Sequence, residues 1–229
     1  MCWSSTASLF FTIVGTIYTI YVYNFSKKYN IVNKISVSFY TLMELTQLVQ
    51  YYYIGQCTPM NNYLTLFAHF LIWVQPLMSN YFGYIETKKN KEVFAFAMVM
   101  SIIVLIVSCI QLFVGEYCKS CDIVNNMINT GNVTCTTMGI IHLQWQFRYA
   151  SMRGFNTNWL MYGLLIVVPN LYHSESILRR PLHWILPFLL SIIVICDHNN
   201  ENISLWCAFT IPYATIFVID ELIKIIRNK

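Results

Sequence analysis

The sequence predicts an all-α membrane protein of seven transmembrane helices. Its N-terminus lies outside and its C-terminus in the cytoplasm, with a short β element in the long loop between the fourth and fifth helices. Three observations predict this class. Of 229 residues, 57% are hydrophobic and only 10% charged, with a mean hydropathy of +0.53, whereas a soluble domain carries about 25% charge. The apolar residues gather into seven runs, each close to the roughly 20 residues that a spanning helix needs. The basic residues are dense in one connection and sparse in the next. An aromatic share of 16% excludes disorder, and a net charge of +4 is too small to point to a nucleic-acid partner. Residues 1–229 read as a single membrane domain whose first partner is the lipid bilayer.

The runs are Cys2–Tyr23, Val37–Gln56, Tyr63–Ile85, Val93–Gly115, Phe155–Tyr172, Leu182–Cys196 and Ile203–Ile226. The first, fourth and seventh are continuously apolar. Glu44, Gln47 and Gln50 interrupt the second, and the sixth is short. Barrel strands would alternate over about ten residues instead. The first run has no basic leader and no small-residue cleavage site before Asn24. Lys27, Lys28 and Lys34 follow it, so it reads as a retained helix and not a cleaved signal.

Lys27, Lys28, Lys34, Lys88, Lys89, Lys91, Arg179, Arg180, Lys224, Arg227 and Lys229 fall on alternate connections and the C-terminus, against Lys119, Arg148 and Arg153 on the others. The positive-inside rule places the larger set in the cytoplasm. Two glycosylation sequons, at Asn132 and Asn202, then fall on outside loops, and a third at Asn24 falls inside.

Cys57, Cys118, Cys121 and Cys135 also lie on predicted outside segments, where disulfides persist; four such residues form two bridges with three pairings. The favoured bridge ties Cys57 to the loop after the fourth helix. The alternative makes Cys118-x-x-Cys121 half of a zinc site, for which the chain has no second matching pair. That loop, 116–154, contains a nine-residue alternation from Ile141 to Tyr149, apolar at odd positions and polar at even ones. Period two argues for a half-buried strand forming a lid over the bundle mouth. The other reading is an interfacial segment anchored by Trp145 and Tyr149.

Glu44 is a carboxylate well inside a span, where insertion costs about 2.5–3.5 kcal/mol, so it is expected to face protein. Glu44, Gln47 and Tyr51 share one helical face. His69, Trp73, Pro76 and Asn80 share a face of the next helix, with Gln75 beside it. At 1.5 Å rise per residue, Glu44 and Gln75 lie at a common depth, roughly 10 Å from the inner edge, with His69 about 8–9 Å higher. Gln75 or Trp73 is thus the expected neighbour of Glu44, and Gln47 or Gln50 that of His69. These groups read either as interhelical hydrogen-bond glue or as a site for a ligand, proton or ion. Pro76, Pro169, Pro187 and Pro212 each interrupt a different run and free a helix carbonyl.

Seven helices, a bridge from the start of the third and a strand-bearing loop after the fourth resemble the layout of G-protein-coupled receptors. The third helix nonetheless ends Gly83-Tyr84-Ile85-Glu86, without the receptors' acidic-Arg-aromatic triplet, and the seventh reads Ile211-Pro212-Tyr213. An embedded metal hydrolase of the alkaline-ceramidase type would draw on Glu44, His69 and His142, a set short of its usual histidines. PQ-loop transporters differ too, since Gln75-Pro76 reverses their pair. The strings MELTQ (Met43–Gln47), HFLIWVQPLMSN (His69–Asn80), HLQWQF (His142–Phe147) and SLWC (Ser204–Cys207) resemble those of small multi-pass membrane proteins of mimivirus-like giant DNA viruses. That resemblance implies a virion or host-cell membrane and no particular activity.

The leading expectation is a polar site built from Glu44, Gln47, His69, Trp73, Gln75 and Asn80 that binds or passes a small solute or ion, without a cofactor. A structural membrane protein ranks second and a metal-dependent hydrolase third.

Overall fold

The computed structural model describes residues 5–25, 31–118, 131–139, 143–152 and 156–172. The sixth and seventh runs, Cys121, Asn202 and His142 lie outside the described residues. Five helices and one hairpin follow in the order α1 (Ser5–Phe25), α2 (Ile31–Tyr51), α3 (Pro59–Glu86), α4 (Lys91–Tyr117), β1 (Cys135–Met138), β2 (Leu143–Gln146) and α5 (Trp159–Leu171).

This corrects the seven-helix, all-α expectation. Among the described residues only α1 and α4 are long and apolar enough to cross a membrane. Helices α2 and α3 have the length, at 21 and 28 residues, but each carries a run of polar groups along one face. Helix α5 has 13 residues, which reach only about 20 Å. A β-sheet, moreover, forms part of the packed interior. The described chain is therefore not the bundle of seven apolar spans read from its sequence.

Local chemistry sets the helix ends. Thr58 caps α3, accepting from the Asn61 N–H at 3.3 Å, and Pro59 follows at the first turn, where its missing N–H costs nothing. Asn90 turns the chain into α4 at φ 57°, a left-handed conformation that asparagine tolerates better than most side chains. Its amide reaches the Tyr172 carbonyl at 3.1 Å, tying the start of α4 to the end of α5. Asn158 caps α5 through the Met161 N–H at 2.9 Å.

Helix α3 is the hub, packing against α2, α4, α5 and β1, while α1 packs on α2. Two glycines allow close approaches. A Cβ at Gly83 would stand 2.1 Å from the Phe94 ring, and one at Gly115 would stand 1.8 Å from the Arg148 carbonyl oxygen. Gly83 thus seats Phe94 between α3 and α4, and Gly115 lets the segment after β2 cross α4.

The hairpin is antiparallel, with Cys135 opposite Gln146, Thr136 opposite Trp145 and Met138 opposite Leu143. Of the nine residues predicted to alternate, 143–149 are described and alternate buried and half-buried throughout, although the strand itself covers four, Leu143–Gln146. Its apolar side continues inward through Phe147 and Tyr149, which join Trp145, Leu71, Trp73, Val104, Tyr162 and Ile166 in the core. The loop's aromatic face is therefore an integral part of the helical core, and not a cover resting on it.

Candidate functional site

The inner faces of α2, α3 and α4 are unusually polar. Glu44, Gln47, Gln50, Asn61, Thr65, His69, Gln75, Ser79, Asn80, Ser101, Ser108 and Gln111 are all buried, while Phe10, Ile17, Phe96, Val99, Ile106 and Phe113 are exposed. These buried groups sort into tiers along α3.

At the hairpin end, Asn61 faces β1. Its Nδ2 donates to the Thr136 carbonyl (2.8 Å) and its Oδ1 accepts the Thr136 N–H (2.8 Å). Gln50 donates to the Thr136 hydroxyl (3.0 Å) and accepts from the Trp145 indole (3.1 Å). Thr65 shares a 2.7 Å hydroxyl contact with Thr136. Glu116 accepts from the Thr134 hydroxyl and, at 3.4 Å, from Asn62. Cys57 and Cys135 are joined by a disulfide with Cα atoms 5.5 Å apart. Cys118 is also disulfide-bonded, so it does not serve as a zinc-binding thiolate. Asn132 is exposed, and its carbonyl accepts from Arg148 at 3.4 Å.

One to two turns further in, His69 Nε2 lies 2.9 Å from the Ser108 hydroxyl. The imidazole is ringed by Trp73, Phe147 and Tyr149, with centroids 6.4, 5.1 and 5.5 Å away. The Tyr149 hydroxyl bonds to Ser108 and to the Trp73 indole, and burial raises its pKa well above the usual tyrosine value. Below this, Gln75 donates to Met43 Sδ at 2.7 Å and accepts from the Tyr162 hydroxyl. The Trp73 and Tyr162 rings meet edge to face at 5.7 Å. Gln111 on α4 fastens the chain after the hairpin. Its Nε2 donates to Asn156 Oδ1 (2.8 Å), and its Oε1 accepts from Thr157.

At the far end, Asn80 Nδ2 donates to the carbonyls of Pro76 and Leu165, both at 2.8 Å. Leu165 is four residues before Pro169, which lacks the N–H that would otherwise cap that carbonyl. Asn170 Nδ2 donates to the Ile166 carbonyl (2.6 Å) and to Ser79 Oγ (3.2 Å).

The six residues expected to form one site make their hydrogen bonds and ring contacts with different neighbours, except that His69 meets Trp73 and that Trp73 and Gln75 share Tyr162. His69 and Trp73 turn toward α4 and the loop, Gln75 toward Met43 and Tyr162, and Asn80 toward α5. Gln75 meets α2 at Met43, one residue from Glu44, and His69 pairs with Ser108 in place of Gln47 or Gln50. Glu44 and Gln47 stay buried one turn apart on α2, 5% and 1% exposed. The Glu44 carboxyl makes no hydrogen bond or ion pair with a described residue. Among the described residues no group of three His, Cys, Asp or Glu comes together to hold a metal.

Sequence reasoning passed over Asn61, Thr136, Ser108, Gln111, Tyr162 and Asn170. Three of these carried a signal. Ser101, Ser108 and Gln111 recur on one face of an otherwise apolar helix, and Asn61 and Thr65 extend the stripe of His69 by two turns. Thr136 and Tyr162 carried none, because their importance comes from where neighbouring elements place them.

A family model described as a family of unknown function, DUF5765, matches residues 6–228. An uncharacterized protein, R287, of Acanthamoeba polyphaga mimivirus is 27% identical over 223 residues, covering 92% of this chain and 91% of that one. The resemblance to mimivirus proteins read from the sequence is thus shown by a relative matching along most of both chains. No solved structure matches.

Proposed function

Because the chain belongs to the DUF5765 family, whose function is unknown, its activity has to be argued from its own residues, and we propose an integral membrane protein that binds or passes a small solute or ion at a buried carboxyl on α2. The membrane part of this reading is supported by the polarity of the two faces. On α4, Phe96, Val99, Ile103, Ile106, Ile110 and Phe113 are exposed in one stripe, while Ser101, Ser108 and Gln111 are buried on the other. Water would favour the reverse distribution; lipid favours this one. The relative in a giant virus supports a virion or host-cell membrane as the setting.

The observation that carries the functional part is Glu44. An acidic side chain buried among helices costs several kcal/mol unless it is paired or protonated. Internal hydrogen bonds engage His69, Gln75 and Asn80, but none from a described residue reaches Glu44. Such a group is suited to exchanging a proton or meeting a small cationic or hydrogen-bonding solute, with Gln47 on the same face.

The test is flux in proteoliposomes loaded with a pH-sensitive dye, driven by a potassium diffusion potential. Wild-type protein is expected to pass protons, and Glu44→Gln to abolish the flux while inserting to the same extent. Equal flux from both proteins would reject the reading. A structural membrane protein is the second reading, favoured by how completely the other polar groups of α3 are used within the fold.

A further inference from the structure

The sequon Asn132-Val133-Thr134 is divided by the fold. Asn132 is exposed and Val133 is 48% exposed, whereas Thr134 is 2% and the next residue, Cys135, 0% exposed. The Asn132 side-chain amide makes no hydrogen bond with a described residue, so a sugar on its nitrogen leaves the hairpin intact. The Thr134 hydroxyl is held from two sides, donating to the Glu116 carboxylate and accepting the Arg148 N–H at 3.1 Å. The Thr134 carbonyl is held as well, by Asn62 at 2.9 Å. A sequon admits only Ser or Thr at its third position, so that hydroxyl is what a glycan transferase reads. The closed hairpin therefore accommodates a glycan on Asn132 but conceals the group needed to attach it. We propose that Asn132 carries an N-linked glycan added during synthesis, before the hairpin closes over Thr134.

The compartment fits. Cys135 is bridged to Cys57, and such bridges persist on the oxidising, non-cytosolic side of a membrane, the side on which N-linked glycans are attached. Lys88, Lys89 and Lys91 lie at the other end of α3 and α4, where the positive-inside rule places the cytoplasm. The inference rests on the membrane part of the proposed function and not on Glu44.

Chain order sets the sequence of events. Arg148 follows Asn132 by 16 residues, and β1 has no partner until Leu143–Gln146 are made. At about 5–20 residues per second, this leaves about 1–3 s in which the Thr134 hydroxyl is not yet enclosed. In the transfer, the Asn132 amide nitrogen bonds to the anomeric carbon of a polyprenyl-diphosphate oligosaccharide. The bond from that carbon to the diphosphate oxygen breaks, the diphosphate leaves with its electron pair, and the nitrogen gives up one proton. After folding, Thr134 is reached only when the hairpin opens locally, which the Cys57–Cys135 bridge opposes.

The test is translation of the full-length chain with endoplasmic-reticulum microsomes, reading the glycan at Asn132 by glycopeptide mass spectrometry. A glycan is expected when the lipid-linked donor is present during synthesis. When the donor is withheld until the chain has folded under oxidising glutathione, transfer is expected to be slower by at least about tenfold. The Cys57→Ser, Cys135→Ser variant opens its hairpin more often and should speed this late transfer by at least about tenfold. If that variant does not fold, Glu116→Ala decides, since it keeps the bridge, loosens the Thr134 hydroxyl and should likewise speed late transfer. No glycan at Asn132 in the first arm would overturn the proposal. So would late transfer as fast as early transfer, or late transfer that the deciding variant does not speed. Resistance of the same chains to carbonate extraction reports the membrane reading separately, so an inserted chain without the glycan overturns this inference alone.

Discussion

Asn61 pairs with the main chain of Thr136 as a neighbouring strand would, donating to its carbonyl and accepting from its N–H, each at 2.8 Å. A helix side chain thereby closes the free edge of a two-stranded sheet. Such a hairpin is marginal alone, and its edge groups, once buried, must be paired. Replacing Asn61 by Leu strands one donor and one acceptor, so it is expected to cost about 2–5 kcal/mol. Hydrogen exchange at 131–150 should speed up more than exchange in α4. Equal acceleration in both regions would mean that the hairpin has no separate anchorage at Asn61.

The Cys57–Cys135 bridge closes 78 residues of chain and fixes the same hairpin covalently. Loss of a bridge of this kind costs typically about 2–4 kcal/mol. The Cys57→Ser, Cys135→Ser double variant is expected to unfold at a lower temperature than wild type. It should also respond less to reductant than wild type, because one bridge fewer remains to be reduced. An unchanged unfolding temperature would show that the hydrogen bonds of Asn61 and Gln50 hold the hairpin unaided.

How much of this could be read from the sequence depends on what kind of signal each feature leaves. The apolar runs located α1, α3 and α4 to within a few residues, because burial and lipid exposure both require continuous apolar chain. The apolar run that begins at Val37 belongs to a helix that begins at Ile31, because Lys34 interrupts the apolar pattern without interrupting the backbone helix. The count of seven spans fails because, among the described residues, α2 and α3 carry buried polar faces and α5 has only 13 residues, so that only α1 and α4 are long and apolar enough to cross. The site was less legible still. Spacing put Glu44 and His69 on definite faces, but not at definite angles to the neighbouring helices. Packing turns His69 toward Ser108, and the polar stripe of α4 that contains Ser108 does not by itself say which neighbouring side chain it meets.

Gly83 and Phe94 form a contact that only glycine permits, since a Cβ at residue 83 would lie 2.1 Å from the ring. Gly83→Ala is expected to destabilise by about 1–3 kcal/mol through overpacking. Phe94→Leu in the same chain should recover part of that loss, because the two changes share one space. Strict additivity in a double-mutant cycle of unfolding free energies would mean that α3 shifts away from the ring as a whole.

Tyr149 is buried with its hydroxyl between Ser108 and Trp73, and its folded-state pKa lies above the ordinary value of 10. The folded protein then keeps a proton that the unfolded chain loses above that pH. Stability from this group is fully present below pH 10 and falls as pH rises further, by about 1.4 kcal/mol per unit until the folded-state pKa is reached. Tyr149→Phe is expected to lessen this alkaline slope in an unfolding series from pH 9 to about 12. A slope identical to wild type would mean that other groups govern alkaline unfolding.

Asn80 and Pro169 should be energetically coupled although neither side chain bonds the other. Pro169 removes the N–H that would cap the Leu165 carbonyl, and Asn80 supplies the substitute at 2.8 Å. Asn80→Ala alone leaves that carbonyl buried and unpaired, at an expected cost of about 1–3 kcal/mol. In a Pro169→Ala background, the new N–H at residue 169 can bond to Leu165 directly, as in an uninterrupted helix. Asn80→Ala should then cost about 1 kcal/mol less than it does in wild type. The measurement is a double-mutant cycle on unfolding free energy in detergent. A coupling near zero would show that the Asn80 bond to Leu165 does not replace the missing helix bond, and that the asparagine is held in place by its contact with Pro76 alone.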